Sequence, residues 1–351
     1  MKRLLVTGGA GFIGSNFVHY WLRVHPGDRL VVLDALTYAG CLDNLKPVVD
    51  RSELSFIHGD IRDTSLVESV LRDESIDTVV HFAAETHVDR SIEGPDLFVQ
   101  TNVVGTHSML MAARRVWMEE SMVDDHRFHH ISTDEVYGSL EPHEAPFSES
   151  TAYAPNSPYS ASKAASDHLV RAYHHTYGMK VTISNCSNNY GPYQYAEKLI
   201  PLVISRALHA QTIPVYGDGL NVRDWLYVAD HCAAVDRILR QGSPGNVYNI
   251  GGRSEVKNIN LVRMICRILD CRLPQLNHLR HMFPEAPPFQ DRKTESLIGY
   301  VSDRPGHDRR YAIDDSKLRT ELGFDPSRQL DDGLGETIEW YLSNPKYLVA
   351  G

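Results

Sequence analysis

Tyr159 and Lys163 stand four residues apart in Y-S-A-S-K. On a helix, positions i and i+4 share one face, so an ammonium would lie beside a phenol. That neighbour favours the phenolate and is expected to lower the tyrosine pKa. Such a tyrosine can take a proton from a hydroxyl while hydride leaves the same carbon. The pair recurs by chance in many helices. It gains weight from Ser132 and Thr133 at the end of an apolar run, and from Asp134 and Glu135 directly after them. Adjacent carboxyls in a closed site can hold different protonation states, because burial and mutual repulsion raise at least one pKa. One can then serve as acid and the other as base. A solvated T-D-E turn is the plainer alternative, but the preceding run places this one at the C-terminal end of a strand, where parallel sheets bind ligands.

A second constellation opens the chain. Gly8, Gly11 and Gly14 occur in T-G-G-A-G-F-I-G, after a strand-like run and at the start of a helical one. Glycines let the backbone approach a pyrophosphate, and a helix N-terminus offers free N–H groups and positive potential. Asp34 follows Gly14 by 20 residues at the end of the second apolar run. A carboxylate there can accept from an adenosine ribose and repels a 2′-phosphate, favouring NAD over NADP. Asp60, in H-G-D-I-R-D, is spaced to meet the adenine edge and could equally be a helix cap.

Composition narrows the class. The 351 residues carry a formal net charge of -10, with 42% hydrophobic and 23% charged residues. A net-acidic chain has no general attraction for nucleic acid or anionic membrane, although local basic residues can still bind a phosphate. No apolar stretch approaches a membrane span, and the short apolar start does not read as a signal peptide. Cys41, Cys186, Cys232, Cys266 and Cys271 are scattered without C-x-x-C, which argues for reduced thiols in the cytoplasm and against a disulfide frame. The pairs His129-His130 and His174-His175 have the wrong spacing to share a metal on one helix face, so no metal is expected.

The elements that must position these residues follow from periodicity. Strands are predicted at Arg3–Thr7, Arg29–Asp34, Leu54–His58, Thr78–Phe82, Phe128–Ser132 and Lys180–Asn185, with helices at Phe12–Val24, Ser65–Arg72, Pro95–Trp117 and Ser157–Tyr177. Alternation of near-continuous apolar strands with amphipathic helices reads as an α/β fold, a Rossmann-type doubly wound parallel sheet. Glu141–Pro158 reads as a loop. Beyond about Asn188 the pattern loosens into turns and shorter helices, Asn260–Leu269 and Asp331–Ser343, with a proline-rich stretch from Phe283 to Pro288. Residues 1–188 are read as the dinucleotide domain and 189–351 mainly as a smaller lobe covering the ligand.

The segments T-G-G-A-G-F-I-G, H-F-A-A-E-T-H-V-D-R-S-I, I-S-T-D-E-V-Y-G, Y-S-A-S-K and N-N-Y-G-P-Y-Q-Y-A-E-K-L-I-P together resemble the extended short-chain dehydrogenase/reductase family, and within it the nucleotide-sugar 4,6-dehydratases. P-V-Y-G-D-G, N-V-R-D-W-L-Y-V-A-D-H and D-R-P-G-H-D-R-R-Y-A-I-D carry the likeness over nearly the whole chain. The resemblance implies NAD retained through turnover, held by Gly8, Gly11, Phe12, Ile13, Gly14, Asp34, Asp60, Ile61, Phe82, Ala83, Ala84, Thr86, Thr101, Ser132, Tyr159 and Lys163. It implies a nucleotide-sugar substrate, dTDP-glucose, met by Thr86, Thr133, Asn189, Glu197, Lys198, Leu199, Pro214, Tyr216, Arg223, Asn258, Arg304 and His307. The implied reaction oxidises C4, eliminates water across C5 and C6, and returns hydride to C6. Tyr159 and Lys163 would carry the oxidation, Thr133 would bond the C4 hydroxyl, Asp134 would be the acid and Glu135 the base. It also implies that later segments return to the N-terminal sheet, and a homodimer through 95–117 and 157–177.

Thr86 stands where members of the family often have serine, and the stretch from Arg280 to Leu297 is idiosyncratic. The base, thymine or uracil, stays open. Three other readings share most of the motifs. A UDP-hexose 4-epimerase needs no acid–base pair for water loss, a UDP-glucuronate decarboxylase needs a pocket for the sugar carboxylate, and an NAD-sensing regulator needs only the fold.

Overall fold

The computed structural model describes residues 1–121 and 125–348. Six parallel strands come in order from the first half: β1 (Arg3–Thr7), β2 (Arg29–Asp34), β3 (Leu54–His58), β4 (Thr78–His81), β5 (Arg127–Thr133) and β6 (Val181–Cys186). A seventh, Val247–Ile250, returns from the second half to pair with β6. The sheet runs Val247–Ile250, β6, β5, β4, β1, β2, β3, which is the expected Rossmann-type arrangement. Strand order reverses between β1 and β4, and such a switch point opens a crevice at the C-terminal strand ends.

The apolar strands explain the layers. Leu4, Val6, Leu30, Val32 and Val80 bury on one face, while Leu5, Val31, Leu33 and Val79 bury on the other. Both faces are therefore covered, as a parallel sheet requires. Each such side chain contributes roughly 1.5–3 kcal/mol by leaving water. A second core lies among the helices Leu199–Leu208, Asn258–Arg272 and Leu330–Ser343. Beside it are a three-stranded sheet, Glu255–Lys257, Val222–Tyr227 and Asn188–Tyr190, and a pair of strands, Ile213–Tyr216 with Ile298–Val301. The proline-rich stretch is part of this lobe. Ala286 is fully buried there and Phe283 packs against the same core.

Three departures from the predicted elements matter. β5 runs one residue further than periodicity suggested and takes Thr133 into the strand, which fixes its backbone by pairing with Cys186. The predicted helix from Pro95 to Trp117 continues to Glu119 and contains two wider π-type stretches, Val99–Gly105 and Arg115–Glu119. A 3.6-residue pattern does not signal them, and such bulges sit often at functional sites. The helix expected from Ser157 starts at Pro158 with Ser157 as its N-cap, so the loop expected over Glu141–Pro158 stops short of Pro158.

That helix carries Tyr159 and Lys163, and its start is tightly specified. Ser157 accepts from the Ser160 amide, the Ser160 hydroxyl accepts from the Ser157 amide, Pro158 fills the first turn, and Gly178 ends the helix at φ +73°. Ser157→Ala should remove the reciprocal cap only two residues from Tyr159. A loss of about 1 kcal/mol, read from urea midpoints, is expected.

Candidate active site

The glycine turn follows directly from β1. Gly8 has φ +68°, and a Cβ there would lie 2.6 Å from the Ala83 amide nitrogen. At Gly14 a Cβ would lie 2.2 Å from the Gly8 carbonyl oxygen. Only glycine allows the turn to close this tightly. Gly11 begins the helix Phe12–Val24 without any side-chain cap, so the first-turn N–H groups remain available to an anion. Asp34 ties the end of β2 to this turn: one oxygen accepts from Ala10 N at 2.9 Å, the other from Leu36 N at 2.8 Å. Burial raises its pKa, and these two amide bonds oppose that. Asp60 is bound by the Arg62 guanidinium at 2.6 Å, which holds its pKa below the usual range. The cleft has a volume of about 450 Å3, and every residue expected to hold the cofactor lines it, including Ile61, Phe82, Ala83, Ala84, Thr86 and Thr101. A cradle that admits no Cβ, an uncapped helix start and a carboxylate at the next strand end fit a dinucleotide.

Thr133, Asp134, Glu135, Tyr159 and Lys163 line the same cleft. The Lys163 ammonium donates to the Ile131 carbonyl at 2.8 Å and lies 3.3 Å from His130 Nε2. Burial pushes its pKa down to about 8. The net fall in the Tyr159 pKa expected from its lysine neighbour is not what the site shows. Burial, and after it the Glu135 charge, push the phenol well above its ordinary value. Asp134 is fully buried, and burial followed by the nearby Glu135 and Asp224 charges raise its pKa well above the usual carboxylate range. Its Oδ1 accepts from the Thr133 hydroxyl at 3.4 Å, while Oδ2 has no hydrogen-bond partner. Glu135 is also raised by burial, opposed by Arg223, Arg304 and Lys198. Both carboxyls therefore favour their protons more than free side chains do.

The residues expected at the substrate divide. Thr86, Thr133, Asn189 and Lys198 line the cleft; Glu197, Leu199, Pro214, Tyr216, Arg223, Asn258, Arg304 and His307 do not. Lys198 donates to the Thr86 carbonyl at 3.3 Å and precedes the helix that Leu199 opens. Glu197 lies 3.6 Å from His87 and 3.9 Å from Arg90. Arg223 is buried, stacks 4.2 Å from the Tyr311 ring centre and donates to the Asp308 carbonyl. Arg304 reaches Asp89 at 3.4 Å. His307 bonds Asp303 at 2.6 Å and sits edge-on to Tyr216, in the strand that also holds Pro214. Asn258 bonds Asn221 through its backbone, and its buried Oδ1 has no partner. Sequence reasoning missed Tyr38, Arg90, Tyr195 and Cys186 on the cleft wall. Cys186 is the last residue of β6, level with Thr133, one residue past the end of the predicted strand. The stacking of Arg90 over Tyr38 at 4.0 Å joins segments that no motif connects. Among the described residues no metal-holding cluster of His, Cys, Asp or Glu occurs.

The raised Asp134 pKa has a stability consequence. The unfolded carboxyl titrates near 4, so over the interval from there to the higher folded value the folded state holds the extra proton. Stability falls as pH rises through that interval and stays low above it. Asp134→Asn should therefore unfold at a higher urea concentration than wild type at pH 8, by about 1–3 kcal/mol, with the gap closing toward pH 4. A gap that does not change with pH would show that Asp134 carries no such burden.

The sequence model of the family described as GDP-mannose 4,6 dehydratase matches residues 5–337. The dTDP-glucose 4,6-dehydratase of Xanthomonas campestris pv. campestris (strain B100) is 54% identical over 351 residues, covering 99% of this chain and 95% of that protein. The dTDP-glucose 4,6-dehydratase of Salmonella typhimurium is 47% identical, covering 99% of this chain and 94% of its own length. Among solved structures, the dTDP-glucose 4,6-dehydratase DesIV from Streptomyces venezuelae, with NAD bound, matches with a TM-score of 0.87 at 45% identity, covering 98% of both chains. The UDP-glucose 4-epimerase of Thermotoga maritima matches with a TM-score of 0.81 at 26% identity, covering 98% of this chain and 99% of its own. The fold is thus shared across reactions, while sequence identity is higher to the dehydratases. On this match, which spans the glycine turn, the carboxyl pair and the lobe beyond them, the chain belongs to the GDP-mannose 4,6 dehydratase family.

Proposed function

We propose that the chain is an NAD-dependent dTDP-glucose 4,6-dehydratase, a hydro-lyase converting dTDP-glucose to dTDP-4-keto-6-deoxyglucose and water. The observation that carries this reading is the carboxyl pair of buried Asp134 and half-buried Glu135, both biased toward protonation, beside Thr133 and Tyr159 in one cleft. Relatives of that name at 54% and 47% identity support it. NAD, when bound along the glycine turn and Asp34, would supply a reversible hydride acceptor, so none is consumed.

The chain's own residues then have distinct tasks. Tyr159 takes the proton of the C4 hydroxyl, which Thr133 holds by a hydrogen bond. Its phenol is costly to ionise in so dry a place, and the charge of Lys163 offsets that cost. The ketone formed at C4 acidifies the C5 proton. Glu135 removes that proton, and Asp134 gives its own to the departing C6 hydroxyl, which leaves as water. Glu135 later returns a proton to C5. A carboxyl kept neutral by burial is suited to protonating a poor leaving group. Arg223, Arg304 and Lys198 supply positive charge for a diphosphate. Asn189, Glu197, Leu199, Pro214, Tyr216, Asn258 and His307 complete the nucleotide-sugar side in this reading. Residues 1–188, with the returning strand Val247–Ile250, serve the dinucleotide, and 189–351 mainly serve the sugar nucleotide. An epimerase or decarboxylase has no task for a buried acid at Asp134, and an NAD sensor has none for Tyr159, Lys163 and Thr133 together.

The protein is proposed to work in the cytoplasm as a homodimer. No helix among the described residues is long and apolar enough to cross a membrane, and the cysteines are free thiols. Leu97, Val99, Val104 and Met111 are exposed along 95–119, and Tyr177 at the end of the neighbouring helix is exposed too. Helices paired across a two-fold axis would cover them.

Purified protein given dTDP-glucose should yield a product lighter by the mass of one water. UDP-glucose turned into UDP-galactose with no mass loss would replace this reading with the epimerase. Tyr159→Phe should lower kcat by about 100-fold or more while still binding substrate. Light scattering at micromolar concentration should report twice the protomer mass.

A further inference from the structure

Among the buried carboxyls outside the pair assigned to water loss, Asp167 lies beside Lys163. Asp167 is four residues beyond Lys163 on the same helix, is 2% exposed, and is held through one oxygen. Its Oδ2 accepts from the Ser132 hydroxyl at 2.7 Å and from Tyr153 at 3.0 Å. Tyr153 in turn accepts from the Asn185 amide at 3.1 Å. Oδ1 has no hydrogen bond and lies 3.3 Å from His130 Nε2, the same nitrogen that lies 3.3 Å from the Lys163 ammonium. The carboxyl, the imidazole and the ammonium thus form a file behind the cleft wall.

The groups around Lys163 decide what balances its charge. From β4 comes His81, and from β5 His130; burial keeps both well below the usual histidine pKa, so both are neutral. From β6 comes Cys186, pushed up to about 12 by burial and therefore a thiol. From its own helix come Tyr159, a phenol held neutral by burial, and Asp167. Burial pushes Asp167 up to about 6, and Lys163 is the first influence opposing that rise. At neutral pH it is the carboxylate in this group. His168 acts on Asp167 more weakly.

We propose that Asp167 is a positioning residue that serves as the counter-charge of Lys163, keeping the ammonium protonated and thereby setting the upper pH limit of turnover. A lysine buried without an opposite charge neutralises readily, and a neutral amine no longer favours the Tyr159 phenolate. Ser132 and Tyr153 favour the ionised form of Asp167 by donating to Oδ2, the oxygen other than the one beside His130. The inference rests on the role proposed above for Lys163.

The test uses the NAD-loaded enzyme and two readouts. Trace labelling with acetic anhydride, followed by peptide mass, gives the titration midpoint of Lys163; the pH profile of kcat gives the alkaline limb. In Asp167→Asn both should move down together by about one pH unit, roughly a tenfold loss of rate at high pH, and Asp167→Glu should restore both. A uniform loss of rate with the midpoint unmoved would overturn the proposal. A moved midpoint with an unmoved limb would sustain the counter-charge and overturn instead the catalytic role of Lys163. If Asp167→Asn yields no folded protein, Lys163→Met/Asp167→Asn decides, because two charges removed together leave none stranded. That double variant should be recovered folded; failure to recover it would overturn the proposal.

Discussion

Water excluded from the C-terminal end of β5 raises the energy of every charge placed there, and the site is organised around that penalty. Ser132, Thr133 and Asp134 lie at the strand's end, and the helix Pro158–Tyr177 closes over them with Tyr159, Lys163 and Asp167. Charged forms are disfavoured for each ionisable member: the acids and the phenol bind their protons more firmly than free side chains do, and the lysine binds its own less firmly. Chemistry that moves protons between weakly committed groups is what such a place permits.

The penalty is tolerable because the surroundings are rigid. Seven parallel strands and two covered faces fix the end of β5, and the reciprocal serine cap fixes the start of the helix. The glycine turn is equally constrained, since its close approach to Ala83 and its own first residue leaves no space for a side chain. The positive charges come from elsewhere. Lys198, Arg223 and Arg304 enter from the second half and moderate Glu135. They leave Asp134 the more strongly protonated carboxyl, opposed chiefly by Arg223 alone among the cations. Two adjacent residues thus acquire unequal acidity from neighbours far away in the chain.

Much of the sheet was legible because its signals are local. β1, β2, β3 and the helix Phe12–Val24 keep their predicted boundaries, since each is a short apolar run ended by Gly, Asp or a turn. The π-type stretches in 95–119 were not legible, because no residue pattern distinguishes them from ordinary helix. At the site, the glycine turn, the carboxyl pair and the tyrosine–lysine spacing could be read as motifs. Tyr38 and Arg90 could not, as their stacking depends on the turn that holds Tyr38 meeting the helix Val88–Glu93.

The sequence by itself determined the inventory: which groups can titrate, which turn must be glycine, which helix carries Tyr159 and Lys163 on one face. Those follow from side-chain chemistry and the fixed periods of helix and strand. Only the tertiary structure decided the charge states. Spacing alone implied a tyrosine made acidic by lysine, yet burial outweighs that neighbour, whose ammonium is turned to the Ile131 carbonyl. Desolvation is a property of everything packed around a group, and no window of sequence contains it.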